Sequence, residues 1–102
     1  MTAIEGASVV PLKIIDGDQG SVLHALRADA SEFAGFGEAY FSTVAKGAVK
    51  GWKMHTRMVC NLVVPVGAVR FVIHDAREGS ATRGAQSEVV LSRADYRRLT
   101  LP

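Results

Sequence analysis

Short runs of β-branched and aromatic residues, each stopped within about seven positions by Gly, Pro, Asp or Ser, are what most restrict the fold of this chain. No helical period of useful length competes with them. Residues 9–15 read as an opening strand, Asp16-Gly-Asp-Gln-Gly20 as a tight turn and residues 21–26 as the return strand of a hairpin. Residues 28–37 read as an irregular connection. Residues 38–44 alternate like a strand with one wet face, Lys46-Gly47 closes it with a turn, and residues 49–54, 58–64 and 69–75 are three further strand candidates. Pro65-Val-Gly67 joins the last two, offering a fixed φ and then a permissive one. In the last of them Val69, Phe71 and Ile73 share one face and Arg70, Val72 and His74 the other. A polar loop at 77–84, a strand at 87–91, one capped helical turn at 92–95 and a strand beginning at 99–101 complete the reading. About seven short strands at this spacing predict an antiparallel sandwich or jelly roll.

The 102 residues, 48% hydrophobic and 22% charged, predict one domain over 1–102 with a small core. Twelve basic residues against ten acidic ones give a net charge of +2. That excess suits a phosphate-bearing ligand, and with no basic run interleaved with aromatics it falls short of a nucleic-acid surface. The single cysteine, Cys60, cannot form an internal disulfide and lies in the apolar run Met58-Val-Cys-Asn-Leu-Val-Val64, so it reads as a small core side chain in a reduced, cytoplasmic setting. The N-terminus has no basic segment before an apolar stretch, and no apolar run approaches the roughly 20 residues that span a bilayer, so neither secretion nor a membrane is expected.

The candidate chemistry lies in the basic string Lys46-Gly-Ala-Val-Lys-Gly-Trp-Lys-Met-His55 and the residues after it. A strand period of two puts Gly51, Lys53, His55 and Arg57 on one face and Trp52 and Met54 on the other. Three cations on one wall suit a carboxylate, phosphate or enolate, and a lysine beside other cations in a dry pocket gains base strength. The competing reading is a solvated outer face anchored by Trp52 in the core. His55 alone makes a poor metal site, and no metal is expected. His74 and Asp75 are neighbours in sequence and face opposite ways; Asp75 with Arg77 is expected to form a structural ion pair or to cap the following loop. Ser42 has no Gly-x-Ser-x-Gly elbow around it, which argues against serine hydrolysis. Trp52, Tyr40 and Phe41 offer stacking faces, although aromatics in half-buried strands are more often core.

Taken together, Asp16 to Gly20, Glu38 and Ser42, Gly47 with Lys50-Gly51, Gly67, Asp75-Ala-Arg77 with Ser80, Thr82 and Gly84, and Leu91-Ser92 leading to Leu99-Thr-Leu-Pro102 resemble the N-terminal two thirds of the cupin-type nucleotide-sugar epimerases. These are the deoxythymidine-diphosphate-4-dehydrorhamnose 3,5-epimerases and their relatives, including the sugar 3,4-ketoisomerases. The resemblance implies a cupin-like double-stranded β-helix, incomplete at its C-terminus. It also implies cofactor-free chemistry, in which a base removes a proton next to a keto group, a cation steadies the enolate and an acid returns the proton. Surface-polysaccharide deoxysugars are the implied products, and a homodimer built by strand exchange or edge pairing the implied assembly.

The departures are specific. The family's arginine before the first glycine falls at Gln19, and its arginine before the second falls at Lys50, which keeps charge without the bidentate fork. The expected histidine base falls at Lys53, with His55 two residues on, and the expected enolate lysine falls at Cys60, near Arg57. The family's tyrosine acid would lie past Pro102. Lys53 and His55 are therefore the expected catalytic residues, with Lys50, Arg57, Gln19 and Ser42 as substrate or phosphate contacts, a nucleotide-linked 4-keto-6-deoxy sugar as ligand, and no cofactor. The alternatives are a non-catalytic sugar-nucleotide or polyanion binding module, a remnant of such an enzyme, or a shortened version of a longer protein.

Overall fold

The computed structural model describes residues 3–102 and contains seven strands with no helix among them. They are β1 (Ser8–Pro11), β2 (Ile14–Gly17), β3 (Gly20–Leu23), β4 (Cys60–Leu62), β5 (Ala68–His74), β6 (Gln86–Ser92) and β7 (Arg97–Leu101). All pairings are antiparallel: β7 lies between β1 and β4, β2 pairs with β3, and β5 with β6. The expectation of an all-β antiparallel fold is met.

The β5–β6 hairpin follows the predicted alternation. Val69 pairs with Leu91, Phe71 with Val89 and Ile73 with Ser87, and this face turns inward; Arg70, Val72 and His74 face outward opposite Val90, Glu88 and Gln86. Arg93 N–H donates to the Gly67 carbonyl at 3.0 Å and closes one end of the hairpin. Gly67 adopts φ 77°, a left-handed conformation that costs a side-chain-bearing residue but not glycine. The core is formed by Ile4, Val64, Ile73, Val89, Leu91 and Leu99, with Val9, Leu62, Val69, Phe71 and Leu101 against it. Leu99 is fully buried because it stands at the centre of the three-stranded sheet, opposite Val9 on one side and Leu62 on the other, and β6 packs over it.

Five expectations are corrected. The opening strand is not continuous over 9–15: Pro11 has no N–H to donate, Leu12 N–H goes to the Tyr96 carbonyl at 3.0 Å, and the chain bends to change partner from β7 to β3. The return strand stops at Leu23, apart from one more bond from His24 N–H to the Lys13 carbonyl at 2.9 Å. Residues 38–44 and 49–54 form no strand, since no neighbouring strand takes up their backbone groups among the described residues; the turn between them is present, with Ala48 N–H donating to the Ala45 carbonyl at 2.9 Å. Residues 92–95 form a turn held by Asp95 N–H on Ser92 Oγ at 2.9 Å, without a helix. Among the described residues no helix is long and apolar enough to cross a membrane.

Candidate functional site

The end of β5 leads into the most specific part of the sequence pattern, and there the geometry is structural. Asp75 is buried, and its carboxylate accepts five bonds: from Arg77 N–H at 3.1 Å, Arg77 Nε at 3.0 Å, Arg77 Nη2 at 2.9 Å, Ser80 Oγ at 2.6 Å and Thr82 Oγ1 at 2.6 Å. Hydrogen bonds from Arg77, then Ser80 and Thr82, hold its carboxyl far below the usual carboxylate range, and Asp75 in return raises the Arg77 guanidinium. The same cluster captures the segment before β1. Arg77 Nη2 donates to the Glu5 carbonyl at 2.7 Å, Ala81 N–H to Glu5 Oε2 at 2.8 Å and Glu5 N–H to Thr82 Oγ1 at 2.9 Å. Next to it Gly6 has φ 79°, and a Cβ there would stand 3.3 Å from Pro102 Cγ. The expected ion pair of Asp75 with Arg77 is present and also organises the loop.

Beside this loop lies a cleft of about 330 Å³ lined by Trp52, Lys53, Met54, His74, Ala76 and Gln86. His74 is the last residue of β5 and pairs across the ladder with Gln86, the first of β6, so their outward face forms one wall. The irregular segment 52–54 forms the other. Cys60 of β4 lies within electrostatic reach of Lys53: burial pushes its thiol up, and the ammonium partly offsets this. The cleft thus brings an indole face, an ammonium, an imidazole and a carboxamide to one place. These groups can stack on a flat ring, neutralise an anion and move a proton.

Of the expected residues, Lys53 lines this cleft, whereas His55 and Arg57 follow it on the same exposed segment without lining it. The period of two does not operate there because the segment is not a strand: Trp52 and Met54 are 72% and 80% exposed, and Trp52 is no core anchor. Lys50 and Ser42 are brought together, with Lys50 Nζ donating to Ser42 Oγ at 2.9 Å and to the Thr43 carbonyl at 3.1 Å. Gln19 sits at the tip of the β2–β3 hairpin. His74 is the lining residue that the sequence reading left aside. Its signal was the outward parity it shares with Arg70 and Val72, set against the apolar parity of Val69, Phe71 and Ile73.

A second cleft, of about 300 Å³, lies where the bend between β1 and β2 meets β7 and is lined by Lys13, His24, Arg27 and Arg98 among others. Arg98 is buried; its Nη1 donates to the Ala25 carbonyl at 2.7 Å and its Nη2 to Glu32 Oε1 at 2.6 Å. The Ser31 hydroxyl, and then Arg98, lower the Glu32 carboxyl. These bonds tie the connection after β3 onto the polar face of the three-stranded sheet. Arg98→Met is expected to release it, so that limited trypsin digestion cuts after Arg27 about tenfold faster while β5–β6 stays protected. An unchanged cleavage rate would show that the tie is not made in solution.

No protein-family model matches the chain, and no curated protein does. Among solved structures the chain is similar to a dTDP sugar isomerase from Desulfovibrio desulfuricans G20, whose crystal structure was determined at 1.95 Å resolution. The identity is 43%, the TM-score is 0.95, and the alignment covers 100% of this chain and 66% of that one. The all-β architecture is therefore of the cupin type expected from the sequence, and this chain spans just under two thirds of the length of that relative.

Proposed function

We propose that this chain is a member of the sugar-nucleotide isomerase and epimerase group, working in the cytoplasm on a nucleotide-linked 4-keto-6-deoxy sugar by proton transfer next to the keto group. The observation that supports the reading is the position of Lys53: the residue matching the family's base lies in a cleft with an aromatic face and a second titratable side chain, in a chain 43% identical to a dTDP sugar isomerase. Lys53 meets the keto sugar. The cationic segment around it, with Lys50, His55 and Arg57, draws the diphosphate, Ser42 steadies the Lys50 ammonium, and Gln19 offers a carboxamide from the hairpin tip. No cofactor is needed, because the keto group itself acidifies the neighbouring C–H bond.

Trp52 provides the test, since it is the only tryptophan and is exposed in the cleft. Adding dTDP is expected to quench its fluorescence, and Arg57→Met is expected to weaken dTDP binding about tenfold at low salt, the value of one partly exposed charge contact. Indifference of Trp52 to millimolar dTDP would remove the reading. Turnover is assayed separately by incubating the keto-sugar nucleotide in heavy water and following deuterium uptake. Binding without uptake would favour the second reading, a sugar-nucleotide binding module, which the openness of the cleft supports because bulk water weakens every charge interaction within it.

The proposed assembly is a homodimer. Phe36, Phe41 and Val49 are 80%, 99% and 96% exposed, and among the described residues β4 is an edge strand with one side of its ladder open. A second copy that covers these groups would restore their burial. A monomeric mass by light scattering at micromolar concentration would refute it.

A further inference from the structure

Within the function proposed above, and resting on it, we propose that His74 is the proton-transferring base of the cleft and that Lys53 is the cation that steadies the enolate. This assigns a catalytic residue to the end of β5, on a different element from the basic segment that carries the sequence resemblance.

The assignment follows from which groups meet and in what charge state they do their work. The described cleft holds two titratable side chains, Lys53 and His74. A proton acceptor must be neutral when the substrate arrives. A neutral imidazole offers a lone pair on its unprotonated ring nitrogen, whereas an ammonium carries donors alone and suits the opposite task, stabilising a developing oxyanion. His55, the alternative imidazole, does not line the cleft. His74 is also free to act, because its backbone is held in the β5–β6 ladder opposite Gln86 while its side chain stands on the exposed face. Around it, Lys53 faces from the irregular segment, Gln86 stands opposite and Glu88 diagonal on β6, and Arg70 shares its face of β5. Asp75 is directed away, its carboxylate taken up by Arg77, Ser80 and Thr82. It therefore does not compete for the imidazole.

The step balances without any further reactant. The C–H bond next to the keto carbon breaks and its proton goes to an imidazole nitrogen. Its electron pair becomes the C=C bond as the carbonyl pair moves onto oxygen, giving an enolate beside the Lys53 ammonium. Return of a proton from the imidazolium to the same carbon restores the keto group. Because the imidazolium N–H exchanges with solvent, deuterium from heavy water enters the sugar at that carbon.

The experiment uses the full chain with dTDP-4-keto-6-deoxyglucose in heavy water, read by NMR, with dTDP binding measured in parallel by Trp52 fluorescence. His74→Gln, an exposed substitution that keeps a hydrogen-bonding side chain in the ladder, is expected to slow deuterium uptake about a hundredfold while changing dTDP affinity less than about threefold. Wild-type uptake is expected to climb with pH as the base is freed of its proton, and that climb is expected to vanish in the variant. Lys53→Met is expected to slow uptake with no loss of the pH climb. Uptake in His74→Gln within threefold of wild type, with the climb intact, would overturn the assignment and leave the proposed function standing. A wild-type chain that binds dTDP without uptake, or does not bind it, would overturn both.

Discussion

Asp75→Asn lowers the melting temperature by about 10 °C or more, the expected outcome when a buried acceptor of many hydrogen bonds loses its charge. The substitution preserves shape, so the effect isolates electrostatics. In the native chain the two carboxylate oxygens take donors from Arg77, Ser80 and Thr82, and an amide can accept at only one of its two ends. Its NH₂ would then face the Arg77 guanidinium or a hydroxyl already donating toward it. The damage spreads because Arg77 and Thr82 also hold the Glu5 backbone, so the segment before β1 loosens with the loop. The pH dependence has a definite sign. Folding depresses the Asp75 carboxyl below its unfolded value near 3.9, so its stabilising contribution is complete above that value and is lost as pH falls from about 4 toward the folded value. Thermal melts from pH 7 to pH 2 are expected to show a steep acid loss in the native chain and a shallower one in Asp75→Asn. Parallel curves would mean that the cluster does not hold the fold.

Leu99→Ala carries the second large effect. The side chain is fully buried at the middle of β7, between Val9 and Leu62 and beneath β6, and removing it leaves a hole lined by strands already fixed by their ladders. Such cavities cost about 2–5 kcal/mol, a large share of the stability of a chain this small. Urea unfolding is expected to show the loss as a lower midpoint, and a change under 1 kcal/mol would mean that the three-stranded sheet is not packed as described. Leu99→Met, which nearly conserves volume, is expected to retain most of the stability.

Both residues illustrate what the sequence made legible. The buried face of β5, the turn at Gly67 and the pairing of Asp75 with Arg77 were readable because each depends on nearby residues: alternation sets the buried face, glycine allows the turn, and a carboxylate two residues from a guanidinium meets it. Residues 38–44 and 49–54 misled for the opposite reason. Alternation there promised a wet and a dry face, but a strand also needs a neighbour for its N–H and C=O groups, and that neighbour is supplied by distant chain or not at all. The basic wall of Lys53, His55 and Arg57 depended on that assumption and dissolves with it, leaving Lys53 in the cleft. Arg98 was hidden by its charge: a guanidinium in the central strand of a sheet reads as surface until Glu32 and the Ala25 carbonyl appear beside it.

The position of β7 has a consequence for how the molecule comes into being. It is the strand that joins β1 and β4, and it pairs residues near position 100 with residues near position 8. The β2–β3 and β5–β6 hairpins can close locally as soon as they are made, but neither β1 nor β4 has a partner until residues 97–101 arrive. During synthesis these apolar strands therefore wait, unpaired, until β7 has been made, and collapse is governed by a search between positions as far apart as Ser8 and Thr100. Slow acquisition of structure at residues 8–11 and 60–62, well after 68–92, is the order of assembly this arrangement dictates.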